Sequence, residues 1–477
     1  GVNAGAPDAV NVSGSGILTI QDAGLRLGVS GDGNLNVLNG GTAKAKAVYV
    51  GYSNEMAGTV TVSGNNSTLV TDIFNVGYSG QGTMKVTDYG KVTTNGSATI
   101  GSLASGSGLV EVSKDGRWDI LDESSLTVGS LSSAALTISS GGQVSAGRTT
   151  LGHHEGSAAV VKVDGNNSRL DTTSLMVGDG GNSSLDITNG AVVSSTGQAS
   201  IARLEETEAA VNVSSGGKLN IVNNEDIGQW LRVGQTGSGT LNIASGGKVK
   251  AGDVDIGSFI TAVGKTEVTG SGSTLSTSAL NVGYQGNGTL TVNSAGRVTA
   301  GAISLGSRAM ADGQIVVDGE GSLLQGNNMV IGDLGSGAVT LSNAGTLALD
   351  AAGLVIASRE GGSGALNIGA AHGASATVAG NISSTGSVAF GAGNGSLVFN
   401  HTNNSATGYA FNTLISGENG AVMQDAGHTV LTAENSYGGR TQVNGGTLTV
   451  ASHSSTGNTG LGSSAVNIAD AGTLSVT

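Results

Sequence analysis

Six histidines, a few carboxylates gathered around two tryptophans and a complete absence of cysteine bound the chemistry open to this 477-residue chain. His153-His154-Glu155 would bind a divalent cation if a further ligand stacked beside it, and is otherwise a solvated loop. Trp118 adjoins Asp119, Asp122 and Glu123; Trp230 follows Glu225 and Asp226; Glu205, Glu206 and Glu208 lie between the two groups. Carboxylates beside an aromatic platform suit glycan cleavage, but a general acid needs a pocket that raises its pKa. On open loops the same ten residues are either ordinary solvated positions or a contact patch for a ligand or for self-association, and the patch is the functional role open to them. No catalytic set, metal site or cofactor is expected. Without cysteine there is no thiolate nucleophile, disulfide or Cys-based zinc site.

The elements that position these residues follow from composition and period. Gly numbers 84 and Pro 1, aromatics are 3% and charged residues 11%, while apolar residues reach 38%. A core assembled from Val, Leu, Ile and Ala must be narrow. A net charge of −14 repels phosphates, so nucleic acid is not an expected partner. No stretch approaches the roughly 18 apolar residues of a spanning helix, so no membrane contact is expected of this segment. The opening Gly1-Val2-Asn3-Ala4 shows no signal-peptide pattern, so the chain reads as a mature segment of a longer protein.

Aliphatic-Gly pairs recur: Leu27-Gly28, Val50-Gly51, Val76-Gly77, Ile100-Gly101, Val128-Gly129, Leu151-Gly152 and Val177-Gly178, then Val233-Gly234 through Ile331-Gly332. Ile201-Ala202 and Ile356-Ala357 hold the same register with Ala for Gly. Steps of about 23 and about 26 residues alternate, in the range of solenoid repeats. Two longer steps break the alternation: Ile100 to Val128, which holds Trp118, and Ile201 to Val233, which holds Trp230. The short unit reads Gly-Thr-Leu-Thr-Val and then Gly-x-Val, as from Gly288 to Val298; the long unit carries aliphatic-x-Val-x-Gly followed by Ser and Leu, as in Val60 to Leu69 and Val161 to Leu170. Strict alternation within three to five residues makes strands with one dry face. Glycine between them takes the positive φ of a sharp turn. Three short strands in a repeat of this length stack as coils of an all-β, single-stranded parallel β-helix. Insertions on such a solenoid are where function is grafted.

The segment Thr429-Val430-Leu431-Thr432-Ala433-Glu434-Asn435-Ser436-Tyr437-Gly438-Gly439, followed by Gly445-Gly446-Thr447-Leu448-Thr449-Val450, resembles the passenger-associated strand repeat of autotransporters. The upstream repeats resemble passengers of the adhesin-involved-in-diffuse-adherence (AIDA) type, so the resemblance covers nearly the whole chain. It implies a right-handed β-helix on a Gram-negative cell surface or secreted from it, with residues 1–383 as regular coils and 384–477 as C-terminal coils bearing the strand repeat. It also implies an adhesin whose partners are the same protein on neighbouring cells, or host matrix glycoproteins or glycans. The Gly-Asp-Ser-Gly nucleophile motif of the serine-protease autotransporters is missing. A β-helical polysaccharide-degrading enzyme and a plain structural stalk are the alternatives.

Overall fold

A computed structural model describes residues 8–223, 228–451, 461 and 465–477. Every regular element among them is a β-strand, and these strands pair in parallel, between one coil and the next; the isolated bridges Val222–Gly228 and Ser342–Ala379 are antiparallel. The chain divides into two units, Gly1–Asn242 with Gly247–Ala251, and Ile243–Gly246 with Gly252–Thr477. Each is a stack of β-helical coils, as the period of the sequence predicts.

The coils of the first unit show why the sequence closes this way. Strand Ala57–Ser63 forms one face, face A, and pairs with Gln81–Thr87 of the next coil, Val60 against Met84 and Val62 against Val86. The chain then turns a corner into Thr68–Val76 on the second face, face B, which pairs with Lys91–Thr94 and Ala98–Ile100. Coils of three strands thus alternate with coils whose second and third strands run together. The inward row Val60, Met84, Val110, Leu136, Val161 and Leu185 is in register and wholly shielded from solvent. Burying a side chain of this size contributes about 1.5 to 3 kcal/mol, so stability accrues coil by coil. In the second unit the row Leu290, Ile315, Val339, Leu366 and Leu397 does the same. From Tyr409 onward the strands Tyr409–Phe411, His428–Leu431, Gly446–Val450 and Gly472–Val476 form a separate four-stranded parallel sheet.

The anchor glycines turn the chain from face B back to face A. Gly77 has φ +74°, and a Cβ there would run into the carbonyl of Ser107 in the next coil. Ala202 and Ala357 adopt the same left-handed conformation, at +55° and +54°, so the two exceptions to the glycine rule keep its geometry.

The Ser of the long unit has a structural reason. Ser168 is fully buried, and its Oγ accepts the backbone N–H of Gly141 from the preceding short coil at 3.1 Å. Ser67 takes the N–H of Gly40, Ser273 that of Gly246 and Ser322 that of Ala295, each at 3.0 Å. The tighter corner of a short coil leaves one N–H without a backbone acceptor, and the serine of the following long coil supplies it.

Candidate contact surfaces

The structure separates the ten candidate residues. Trp118 belongs to the core: it is wholly buried, in register between Val92 and Val144, with its ring 5.9 Å from Phe74 in an edge contact. Its Nε1–H donates to Thr94 Oγ1 at 3.1 Å. The expectation of an outward platform fails there because Trp118 occupies the inward slot that Val or Leu fills in neighbouring coils. The equivalence of Gly116-Arg117-Trp118 with Gly90-Lys91-Val92 carried that signal in the sequence.

Asp119 is buried too, salt-bridged to Arg117 Nε at 2.7 Å and Lys91 Nζ at 3.1 Å, and accepts from Ser145 Oγ at 3.0 Å. Burial pushes its carboxyl up, but the hydrogen bonds from Arg117 and Lys91 outweigh it and hold the group below the ordinary carboxylate range. A carboxyl so held is an ionised acceptor, the opposite of what a general acid needs.

Asp122 and Glu123 are exposed at the corner between strands Arg117–Ile120 and Leu126–Val128, both in the left-handed region (φ +55° and +57°). With Arg148, Ser97 and Thr173 they line an open depression of about 430 Å³. Glu205 and Glu206 are exposed at a different corner, between Ala199–Ile201 and Glu208–Val213, and Glu208 opens the latter strand. The acidic insertions therefore occupy two corners of the coil rather than one patch. Glu225 and Asp226 lie outside the described residues. Trp230 is 42% exposed, with the Arg232 guanidinium 5.1 Å from its ring centre.

Glu205 and Glu206 do gather with other residues. Between their coil and the coil of His153, His154 and Glu155 lies one whose corner is Gly180-Gly181, and the missing side chains leave a hollow of about 540 Å³. Its wall is braced by Asp179, which is buried, bonded to His153 Nδ1 at 2.8 Å and paired with Arg203 Nε. Nothing in the sequence discloses this cluster, because its members are 24 and 26 residues apart and meet only when consecutive coils stack. Among the described residues no three His, Cys, Asp or Glu side chains are arranged to hold a metal ion.

A second grouping is aromatic. Tyr52 and Tyr78, each next to an anchor glycine, stack with centroids 5.3 Å apart and planes 10° apart; Tyr49 packs edge-on against both, and Arg26 lies 4.7 Å over Tyr52. Among the described residues no helix is long and apolar enough to cross a membrane.

No protein-family model matches the chain. A stretch of 115 residues is 56% identical to the protein described as "Uncharacterized lipoprotein YdeK" of Escherichia coli (strain K12). The match covers 24% of this chain and only 9% of that protein's length. Among solved structures the chain is similar to the TibC-catalysed hyper-glycosylated TibA55-350 fragment, with a TM-score of 0.38 and 16% identity over 81% of this chain and 97% of that one.

Proposed function

We propose that the chain is a β-helical adhesin passenger, displayed at the bacterial cell surface, that makes many weak polar contacts with the same protein on neighbouring cells or with host matrix glycoproteins and glycans. The observation that carries this reading is the outward side of the coils, where polar side chains repeat in register. Thr61, Lys85, Glu111, Thr137, Lys162 and Asp186 form one such row in the first unit. Repetition at a fixed spacing lets individually feeble contacts add through effective concentration. The resemblance of residues 429–450 to the autotransporter strand repeat supports surface display, as does the likeness of one stretch to a lipoprotein.

Bacteria displaying the chain on an outer-membrane anchor test the proposal. Clumping, or retention on matrix-coated or glycan-coated surfaces, is expected relative to cells displaying the anchor alone. Equal settling and equal retention would contradict it.

A further inference from the structure

The outward row of face A from Thr61 to Asn212 carries its charges in a particular order. Counted by coil from Thr137, Glu111 lies one coil before and Lys162 one coil after. Lys85 lies two before and Asp186 two after, and the neutral Thr61 and Asn212 lie three away. Each cation on one side of Thr137 is thus answered by an anion at the same distance on the other. Two residues earlier on the same strands the outward row reads Thr83, Leu109, Ala135, Val160 and Ser184. Leu109 is 47% and Val160 53% exposed, so two large apolar side chains flank Ala135, which belongs to the same coil as Thr137. Asp164, beyond Lys162, has the neutral Ser113 as its counterpart one coil on the other side.

A twofold axis lying along strand Ser133–Ser139 reverses the order of the coils and keeps the direction of the strands. It sets Lys85 against Asp186 of a second copy, Glu111 against Lys162, Thr137 against Thr137 and, in the next row, Leu109 against Val160. Opposite charges meet throughout this row and like charges nowhere. Other placements fail on the same residues. An axis half a coil earlier opposes Lys85 to Lys162, and one half a coil later opposes Glu111 to Asp186. A whole coil either way sets Glu111 or Lys162 against its own copy, and a parallel pair of stacks does so for every charge. Like charges facing across an interface exclude those arrangements. Within their own chain these side chains make only weak surface pairs, Lys85 with Glu111 at 4.0 Å and Lys162 with Asp164 at 3.9 Å. Asp186 accepts from Asn212 Nδ2 at 2.7 Å, which leaves further lone pairs on its carboxylate. From Thr61 to Asn212 the face spans about 29 Å of stack by about 23 Å of strand, roughly 650 Å² per copy. That is the low end of specific interfaces, suited to a contact that gains strength by number.

We infer that face A of the first unit is a self-recognition surface on which two copies of the chain meet antiparallel, with Thr137 opposite Thr137. The inference rests on the proposed adhesive function and commits it to one partner, one face and one register. Leu109, Ala135 and Val160 supply apolar burial at the centre, and the charges around them fix orientation and register.

Cells displaying the chain, labelled in two colours, report self-recognition as mixed or separate clumps. Lys85→Glu with Lys162→Glu makes the row uniformly negative, and Glu111→Lys with Asp186→Lys makes it uniformly positive. Each variant alone should clump about tenfold less than the wild type, and an equal mixture of the two should recover. Recovery on mixing also shows that both variants are folded. The fourfold exchange Lys85→Glu, Glu111→Lys, Lys162→Glu and Asp186→Lys inverts the pattern, so it should clump with itself and segregate from the wild type. Lys218→Glu with Lys248→Glu, at exposed lysines of face B, should leave clumping unchanged. Undiminished clumping of either twofold variant, no recovery on mixing, an equal loss in the face B control, or mixed clumps of wild type with the fourfold variant would each overturn the inference. Sedimentation of the purified chain and the same variants separates this claim from the adhesive one. Cells that bind matrix-coated surfaces while the row variants change nothing leave adhesion standing and sink this surface. Purified chain that associates through the row, in cells that neither clump nor adhere, does the reverse.

Discussion

Single side chains set local geometry here because the core is only a few side chains across. Trp118 fills a slot that holds Val92 in the coil before and Val144 in the coil after. Its coil, from Ile100 to Val128, is longer than its neighbours, and the extra residues form the Asp122-Glu123 corner. Trp118→Ala should cost about 3 to 5 kcal/mol locally. The loss is expected as faster amide hydrogen exchange in strands Lys91–Thr94 and Gln143–Leu151, with distant coils protected as before. His401 makes a pH-dependent contribution. It is fully buried, with Nε2 2.9 Å from Thr429 Oγ1 and its ring 5.2 Å from Tyr409. Burial, and after it the nearby charge of His428, lowers its pKa from 6.5 to about 4. Between those values the unfolded chain takes up a proton that the folded chain refuses. Stability is therefore full above pH 6.5 and falls as pH drops towards 4, by something on the order of 3 kcal/mol. Exchange protection of strand His428–Leu431 should decline over that window, and His401→Leu, which cannot titrate, should flatten the decline.

Corners and rungs carry the next level of order. The buried serines that serve an N–H of the coil before explain why long and short units alternate. Ser168→Ala strands the Gly141 N–H and should cost about 1 to 3 kcal/mol, visible as lost exchange protection at that amide and its coil. An unchanged Gly141 amide would count against the pairing. Along the outside, carboxylates act as acceptors for the following coil: Asp186 takes Asn212 Nδ2 at 2.7 Å, and Asn212 in turn takes Asn242 at 2.8 Å. Asp164 takes Thr188 at 2.5 Å and Asn189 at 2.7 Å, and in the second unit Asp318 takes Ser342 at 2.6 Å and Asn343 at 2.7 Å. The strands and anchors were legible in the sequence because alternation and glycine act within a few residues, and Ala202 shows that even the exceptions obey the rule. The contact surfaces were less so. His153 and Asp179 are neighbours across a coil, and only a residue-accurate register brings them together. The length anomaly at Trp118 suggested a grafted loop that included the ring, whereas Trp118 sits in the ordinary inward slot and the added length lies at the corners outside its strand.

At the scale of the whole chain, the acidic balance is less available than the net charge of −14 suggests, since Asp119, Asp164, Asp179, Asp186 and Asp318 are all engaged as acceptors within the fold. What remains to act on a partner is a set of repeated outward rows, and the proposed adhesion through them depends on the coils keeping register. The absence of cysteine makes that register directly measurable, because only introduced thiols will carry a label. Spin labels on Cys pairs at Thr61 and Lys162, four coils apart, and at Thr61 and Asn212, six coils apart, report it within the first unit. At about 4.8 Å per coil the backbone separations are about 19 and about 29 Å, and the two interspin distances should differ by about 10 Å with narrow distributions. Equal distances, or broad distributions with no dependence on the number of intervening coils, would contradict the stacked parallel register on which the fold and its proposed surfaces rest.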